Sequence, residues 1–521
     1  MINYTIAAFF SAMVLAFAII PISKRLAVLV GLVDHPDKRR KLHKNAIPMI
    51  GGIAVFLSVM ITLLVLGLWF KDDIGIFTSG NKMLLGLLIA CTSILTLGII
   101  DDRFNIRGRQ KLLGQILIAS VLVYFEYKFD SIMIWGRTFD LSVFSVVFVY
   151  FWLLTGINSV NLLDGADGFA ATIGTLMSLA LCVMAVHLGK FEDAIICAAM
   201  SGALLAFMRF NFPPASAYLG DAGSMLIGLF IAAMAIKISS KEAAAYAFLA
   251  PIALLAIPMF DTLAAVVRRR LTGRSIYSVD RGHLHHALMG KGFSPRKALL
   301  LFFGMCLMTA TGGVMSLIYQ QAEYAILSIM AVGIFLVVGR VFGFAEFELL
   351  SNKSKSVIRS FFVMPEVDGN SHASVRLQGE RNWDLCWQML REFAERNNLL
   401  RLTMDLNLPW IQESFNAKFT SADRKGLKSD EKWSFELPLI VEERFIGRID
   451  LEAEAKSDFA KVLVELNNIL ISLDDYFIET IGTSINAPLN QVGEDTEQTV
   501  AERQSIEFGE NLDGNRSIDA G

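Results

Sequence analysis

The stretch Leu219-Gly220-Asp221-Ala222-Gly223-Ser224 runs directly into Met225-Leu226-Ile227-Gly228-Leu229-Phe230-Ile231-Ala232-Ala233-Met234-Ala235-Ile236, so a carboxylate stands at the mouth of an apolar run. A bilayer core takes about 20 mostly apolar residues per helix. Eleven runs of this kind lie before residue 345, at 3–21, 48–69, 83–100, 112–127, 143–158, 168–187, 193–209, 222–237, 245–267, 298–318 and 324–343. The pattern predicts an α-helical polytopic membrane protein with about 11 transmembrane helices. No Lys or Arg precedes the first run and no small-residue cleavage site stands before Lys24 and Arg25, so it reads as a retained helix rather than a cleaved signal.

Composition agrees. Of 521 residues, 54% are hydrophobic and only 19% charged, against roughly 25% in ordinary soluble domains, which excludes a soluble single domain. The net charge of −3 hides an asymmetry: residues 1–344 carry 28 Lys/Arg and 18 Asp/Glu, the remainder 19 and 32. Near-neutral overall charge speaks against a nucleic-acid partner. The five cysteines show no CxxC spacing and four lie in apolar runs, which suggests neither a disulfide framework nor a zinc site.

Alternate loops between eleven spans fall on opposite sides of the bilayer. One set (34–45, 101–111, 156–165, 209–221, 268–297) holds 18 Lys/Arg and the other 7. The positive-inside rule places the first set in the cytoplasm, with the N-terminus outside and the C-terminus inside. Every polar motif falls on the basic side.

Three regions follow. Residues 1–344 form the membrane domain. Residues 345–484 alternate short β-like segments (Leu400 to Leu406, Trp433 to Ile440, Phe445 to Leu451) with helix-like ones (Leu385 to Asn397, Phe459 to Phe477), predicting a small cytosolic α+β domain. Residues 485–521, Gly/Asn/Glu-rich with few large apolar side chains, are expected to be a disordered acidic tail.

Candidate chemistry lies in five stretches. Asp101 and Asp102 end an apolar run and are followed by Arg103, Arg107, Arg109 and Lys111. One boundary Asp reads as a solvated helix end; two adjacent carboxylates beside cations suit Mg²⁺ with phosphate oxygens, or a base. In Asn158-Ser159-Val160-Asn161-Leu162-Leu163-Asp164-Gly165-Ala166-Asp167-Gly168, polar groups recur every three residues, and the glycines allow close backbone approach. A polar turn uses the same residue types, but four amide or carboxylate groups exceed what a turn needs. Asn211-Phe212-Pro213-Pro214 and Tyr218 precede Asp221, which is placed either to cap its helix or to hold a metal bridging phosphate at the helix N-terminus. Arg281-Gly282-His283-Leu284-His285-His286 lies in a loop with eight Lys/Arg. Without a nearby cysteine or an H-E-x-x-H pattern, an anionic diphosphate fits it better than zinc. Arg39-Arg40-Lys41-Leu42-His43-Lys44, before Pro48 and Gly51-Gly52, reads otherwise as a positive-inside anchor.

These stretches, in this order and on one membrane face, resemble the polyprenyl-phosphate N-acetylhexosamine-1-phosphate transferases of the MraY/WecA type, over roughly residues 1–344. The resemblance implies transfer of a sugar 1-phosphate from a UDP-sugar to polyprenyl phosphate, releasing UMP and starting lipid-linked cell-envelope polysaccharide synthesis. It implies Mg²⁺, with Mn²⁺ as a substitute, held by Asp221. Asp101 takes the place of the base near the lipid phosphate and Asp102 of its partner. Lys44, Asn161, Asp164, Gly165, Asp167, Asn211 and Tyr218 match substrate-binding positions, and His283, His285 and His286 the motif near the diphosphate. The spelling His-Leu-His-His resembles the UDP-N-acetylglucosamine branch rather than the muramoyl-pentapeptide branch; another UDP-N-acetylhexosamine is the alternative donor. The implied location is the bacterial inner membrane, with a homodimer and a cytosolic protein partner for residues 345–484 as further expectations.

Other readings fit less well. An intramembrane prenyltransferase needs an aspartate spacing that Asp101-Asp102-Arg103-Phe104-Asn105 lacks, and Asp164-Gly165 is not followed by the CDP-alcohol phosphotransferase pattern. Transporter carboxylates belong near the bilayer midplane, whereas these sit at helix ends. Intact acidic and histidine motifs disfavour an inactive scaffold.

Overall fold

A computed structural model describes residues 1–34, 46–70, 81–129, 131–134, 137–140, 142–239, 245–272, 282–338, 342, 371–378, 383–408, 413–421, 432–441 and 444–482. They form two compact units, one up to residue 342 and one from residue 371 onward.

The first unit is helical. It contains α1 (Ile2–Val30), α2 (Gly51–Trp69), α3 (Lys82–Phe104), α4 (Gly108–Tyr124), α5 (Ser142–Leu163), α6 (Phe169–His187), α7 (Phe191–Asn211), α8 (Gly220–Ser239), α9 (Ala245–Thr272), the short α10 (Leu284–Gly290), α11 (Pro295–Ile318) and α12 (Glu323–Val338). Two small antiparallel pairs, β1 (Val33–Asp34) with β2 (Ile47–Pro48) and β3 (Ser131–Ile134) with β4 (Arg137–Asp140), lie between helices. Over the described residues, each of the eleven apolar runs falls on a helix. Among the described residues, nine are long and apolar enough to cross a membrane; α4 and α12, at 17 and 16 residues, are shorter. The protein is a multi-pass membrane protein.

Helix α8 is the centre of this unit. It is apolar all round, and every residue from Ala222 to Ser239 is buried, as expected of a helix enclosed by others. It packs against α2, α3, α5, α6, α7 and α9. Small residues permit this, since association between helices in lipid rests on close van der Waals fit. A Cβ at Gly98 of α3 would lie 2.3 Å from the Ala222 backbone, so only glycine lets α3 pass the first turn of α8. Toward the far end of α8, Lys237 is ion-paired with Asp193 at the start of α7, so that these buried charges are mutually compensated.

The second unit is a five-stranded antiparallel sheet in the order β5-β7-β6-β9-β8, with β5 (Ser371–Gln378), β6 (Arg401–Leu408), β7 (Glu413–Thr420), β8 (Lys432–Val441) and β9 (Arg444–Glu454). Helices α13 (Asp384–Arg396) and α14 (Phe459–Gly482) complete it. Leu402, Met404 and Leu406 of β6 share a core with Phe415, Ala417 and Phe419 of β7, each set at the two-residue period that puts side chains on one face of a sheet. Trp387, Leu390 and Phe393 of α13 and Val462, Leu466 and Leu473 of α14 belong to the same core. The expected α+β character is present. Two strands go beyond the sequence expectation: β7, whose Phe415/Ala417/Phe419 alternation is legible, and the edge strand β5, whose apolar content is low. The tail at 485–521 lies outside the described residues.

Candidate active site

The polar residues of α3, α4, α5 and α8 meet at one end of the bundle. After the aspartate pair, α3 stops at Phe104 and Asn105 adopts a left-handed conformation (φ 48°), its N–H donating to Asp101 O at 2.8 Å. Ile106 N–H donates to Asp101 Oδ1 at 3.0 Å. This tight turn starts α4 at once and brings Lys111 back over the aspartates. Lys111 Nζ lies 2.7 Å from Asp101 Oδ2 and 3.1 Å from Asp221 Oδ2, and donates to Asn161 Oδ1 at 3.2 Å. Asn161 Nδ2 in turn donates to Asp221 Oδ1 at 2.5 Å and to Ser224 Oγ at 2.9 Å. One lysine therefore sits between two carboxylates and an amide contributed by three other helices.

Asp102 has a different task. Its Oδ1 accepts the backbone N–H of Asp221 at 2.7 Å and its Oδ2 that of Ala222 at 3.2 Å. These are first-turn donors with no intrahelical partner. The cap of α8 is thus supplied from α3, which leaves the Asp221 side chain available to Lys111 and Asn161. Gly220 has φ +70°, and a Cβ there would lie 2.5 Å from Asp102 Oδ2, so glycine is required twice over.

In the turn between α5 and α6, Asp164 is pushed well above the usual carboxylate range by burial and by the neighbouring charges of Asp221, Asp102 and Asp167. Asp167 Oδ2 accepts the N–H of Ala215 at 2.8 Å. Asn211 accepts from Gly168 N–H and donates to Ala217 O, each at 3.0 Å. Both side chains hold the 212–217 segment in place. Tyr218 N–H donates to Pro48 O at 2.9 Å, and its phenol is pushed up to about 12 by burial and by the carboxylates of Asp167, Asp34 and Asp164.

The histidines reach this end through Gly165. A Cβ at Gly165 would contact the His285 ring at 3.5 Å, so the ring lies against the turn that carries Asp164. His285 is 1% exposed and, among the described residues, neither ring nitrogen has a hydrogen-bond partner. Burial and its two histidine neighbours hold it well below the ordinary histidine value, hence neutral at pH 7. Such orphaned buried polar atoms call for an explanation. The His286 ring centroid is 4.2 Å from that of His285; the His283 ring lies parallel to it at 6.1 Å and bonds Asp261.

The expected site residues thus meet in one region, except Lys44, which lies outside the described residues. In the sequence Lys111 is only one of four loop cations, and Asp261 a lone carboxylate inside an apolar run, which is itself a signal.

Residues 84–239 match the family model described as Glycosyl transferase family 4. The chain is 30% identical over 300 residues to the probable undecaprenyl-phosphate N-acetylglucosaminyl 1-phosphate transferase of Bacillus subtilis (strain 168), covering 57% of this chain and 81% of that protein. It is 31% identical over 348 residues to the decaprenyl-phosphate N-acetylglucosaminephosphotransferase of Mycobacterium tuberculosis (strain ATCC 25618 / H37Rv), covering 62% and 84%. The chain belongs to the MraY/WecA-type polyprenyl-phosphate N-acetylhexosamine-1-phosphate transferase family. Against the undecaprenyl-phosphate alpha-N-acetylglucosaminyl 1-phosphate transferase of Escherichia coli (strain K12), this family member is 28% identical over 304 residues, 56% of this chain and 79% of that one. More than a third of the chain falls outside each of these alignments.

For a metal, the donor set of this transferase-family site is hard oxygen: the carboxylates of Asp101, Asp102, Asp164 and Asp221 and the amide oxygen of Asn161. Among the described residues, no three His, Cys, Asp or Glu side chains form a ready cage. Mg²⁺ asks for less, taking one or two carboxylates with water and substrate phosphate.

Proposed function

We propose that this protein transfers N-acetylglucosamine 1-phosphate from UDP-N-acetylglucosamine to undecaprenyl or another polyprenyl phosphate, releasing UMP. The observation that carries this reading is Lys111 held between Asp101, Asp221 and Asn161, with His285 across the Gly165 turn. Cations and carboxylates set together at the end of a helix bundle suit a nucleotide diphosphate meeting a lipid phosphate. The names of the relatives favour N-acetylglucosamine as the sugar.

In this reading eleven helices cross the bacterial inner membrane, with the site and the C-terminal unit on the cytoplasmic face. Asp221, with Asp101 or Asp164 beside it, would hold Mg²⁺. When bound, that ion would neutralise charge on the phosphoryl oxygens. Asp101 would accept the proton of the lipid phosphate at its carboxylate. Lys111 would stand beside the transferred phosphoryl group as a fixed cation, and the neutral His285 would donate its one ring N–H to a diphosphate oxygen. Asp102, Asp167 and Asn211 keep their backbone partners and hold the frame, so positioning and electrostatics supply the rate.

Membranes containing the protein, supplied with polyprenyl phosphate and a panel of labelled UDP-sugars with and without Mg²⁺, test donor and metal together. UMP release from UDP-N-acetylglucosamine alone, dependent on both lipid and metal, is the expected result. Turnover of another UDP-sugar would reassign the donor; none with any would overturn the reading. Asp221→Asn should remove most turnover and the metal dependence, and near-normal activity would refute its assignment.

A further inference from the structure

Asp261 lies within α9, fully buried. Both oxygens are engaged by the histidine segment: Oδ2 is 3.1 Å from His283 Nδ1, and Oδ1 accepts the backbone N–H of Leu284 at 2.8 Å. Leu284 N–H is a first-turn donor of α10 without an intrahelical acceptor, so a carboxylate from another helix takes the place of the cap. His283 itself is 5% exposed, and Leu284 and Leu288 beneath it are fully buried, which seats the segment on the bundle.

We propose that Asp261 is a positioning residue for the transferase site: it sets the hydrogen placement on His283 and docks the histidine segment so that the His285 ring lies against the Gly165 turn. The inference rests on the function proposed above. An ionised carboxylate is an acceptor only. With Asp261 accepting at both oxygens, Nδ1 of His283 carries the hydrogen and Nε2 is the atom left for substrate. A histidine whose second nitrogen is fixed by a carboxylate is held in one tautomer and one orientation. The His283 and His285 rings lie parallel, 3° between planes, with centroids 6.1 Å apart.

Asp261→Asn isolates this role. Its shape is retained and its carbonyl oxygen can still accept from Leu284, but its NH₂ faces His283 as a donor and reverses the tautomer. In the purified full chain, kcat/KM for the UDP-sugar that the wild type turns over should fall about 10- to 100-fold, with KM for the lipid phosphate and the thermal midpoint in detergent close to wild type. Asp261→Ser, which keeps a small acceptor for Leu284 N–H, should show the same loss. The decisive arm is a double-mutant cycle with His283→Gln. If Asp261 acts through His283, Asp261→Asn costs little further in that background. Equal losses with and without His283, or wild-type kcat/KM in Asp261→Asn, would overturn the assignment. Wild-type turnover in the same assay reports on the transferase reading separately.

Discussion

The carboxylate of Asp102 accepts the backbone N–H of Asp221 at 2.7 Å, across 119 residues of sequence. The two acidic motifs are thereby built as one unit, the second residue of the first motif capping the helix that presents the second. Asp102→Ala leaves two first-turn N–H groups without acceptor and should destabilise the protein by about 2 kcal/mol, with activity reduced because Asp221 loses its frame. Asp102→Asn, able to accept from one N–H, should fall between. Thermal unfolding in detergent beside UMP release checks the order; an alanine variant as stable as wild type would contradict the capping role.

Gly220→Ala attacks the same contact from the other side. The left-handed conformation costs a residue with a Cβ about 1–2 kcal/mol, and that Cβ would displace the Asp102 carboxylate from 2.5 Å. Loss of both stability and turnover is expected, read in the same two assays.

Lys111 stands where the Asp101 and Asp221 carboxylates would otherwise repel each other. Lys111→Met should destabilise by about 3 kcal/mol and lower turnover about 100-fold. If these carboxylates take a divalent cation, Mg²⁺ should raise the thermal midpoint of the methionine variant more than that of wild type. Equal shifts in the two proteins would argue against metal at this cluster.

Asp164 is held above the usual carboxylate range by burial and nearby carboxylates. A carboxyl raised on folding binds more protons folded than unfolded. Its contribution to stability is complete below its unfolded value near 4 and is lost as pH rises through the folded value. Asp164→Asn removes this dependence and should raise the thermal midpoint of the substrate-free protein at pH 7, while turnover falls. A variant less stable than wild type at pH 7 would show that the ionised carboxylate is already compensated.

His285 titrates with the opposite sign. Because it is held below its unfolded value near 6.5, its titration costs nothing above that pH and destabilises the fold progressively as pH falls below it. His285→Phe, beside Phe169, should stabilise by about 1–3 kcal/mol, flatten the acid side of the stability profile and abolish turnover. Retained activity would remove His285 from the site.

Hydropathy made the membrane unit legible, because the bilayer imposes a length and an apolar composition on each helix independently of its neighbours. Its two-residue analogue made β6, β8 and β9 legible, and would serve for β7, where Phe415, Ala417 and Phe419 alternate with polar residues. The edge strand β5 has fewer apolar residues, and its clearest definition is pairing with β7. Within the site, the acidic and histidine motifs stood out as polar residues crowded at the ends of apolar runs. Lys111 did not, because a lysine past a helix end is ordinary until its neighbours are known.

The amino-acid sequence by itself determined where helices form, that they belong in a membrane, and which residue types collect at one end of them, since these follow from local composition and spacing. Only the tertiary structure decided the division of labour: Asp102 capping α8 while Asp221 faces Lys111, Asn211 and Asp167 bound to backbone, His285 left with two orphaned nitrogens, Asp261 beneath His283. Each of those roles is set by a hydrogen-bond partner or neighbour distant in sequence, and side chains of one chemical kind differ in function only through what they touch.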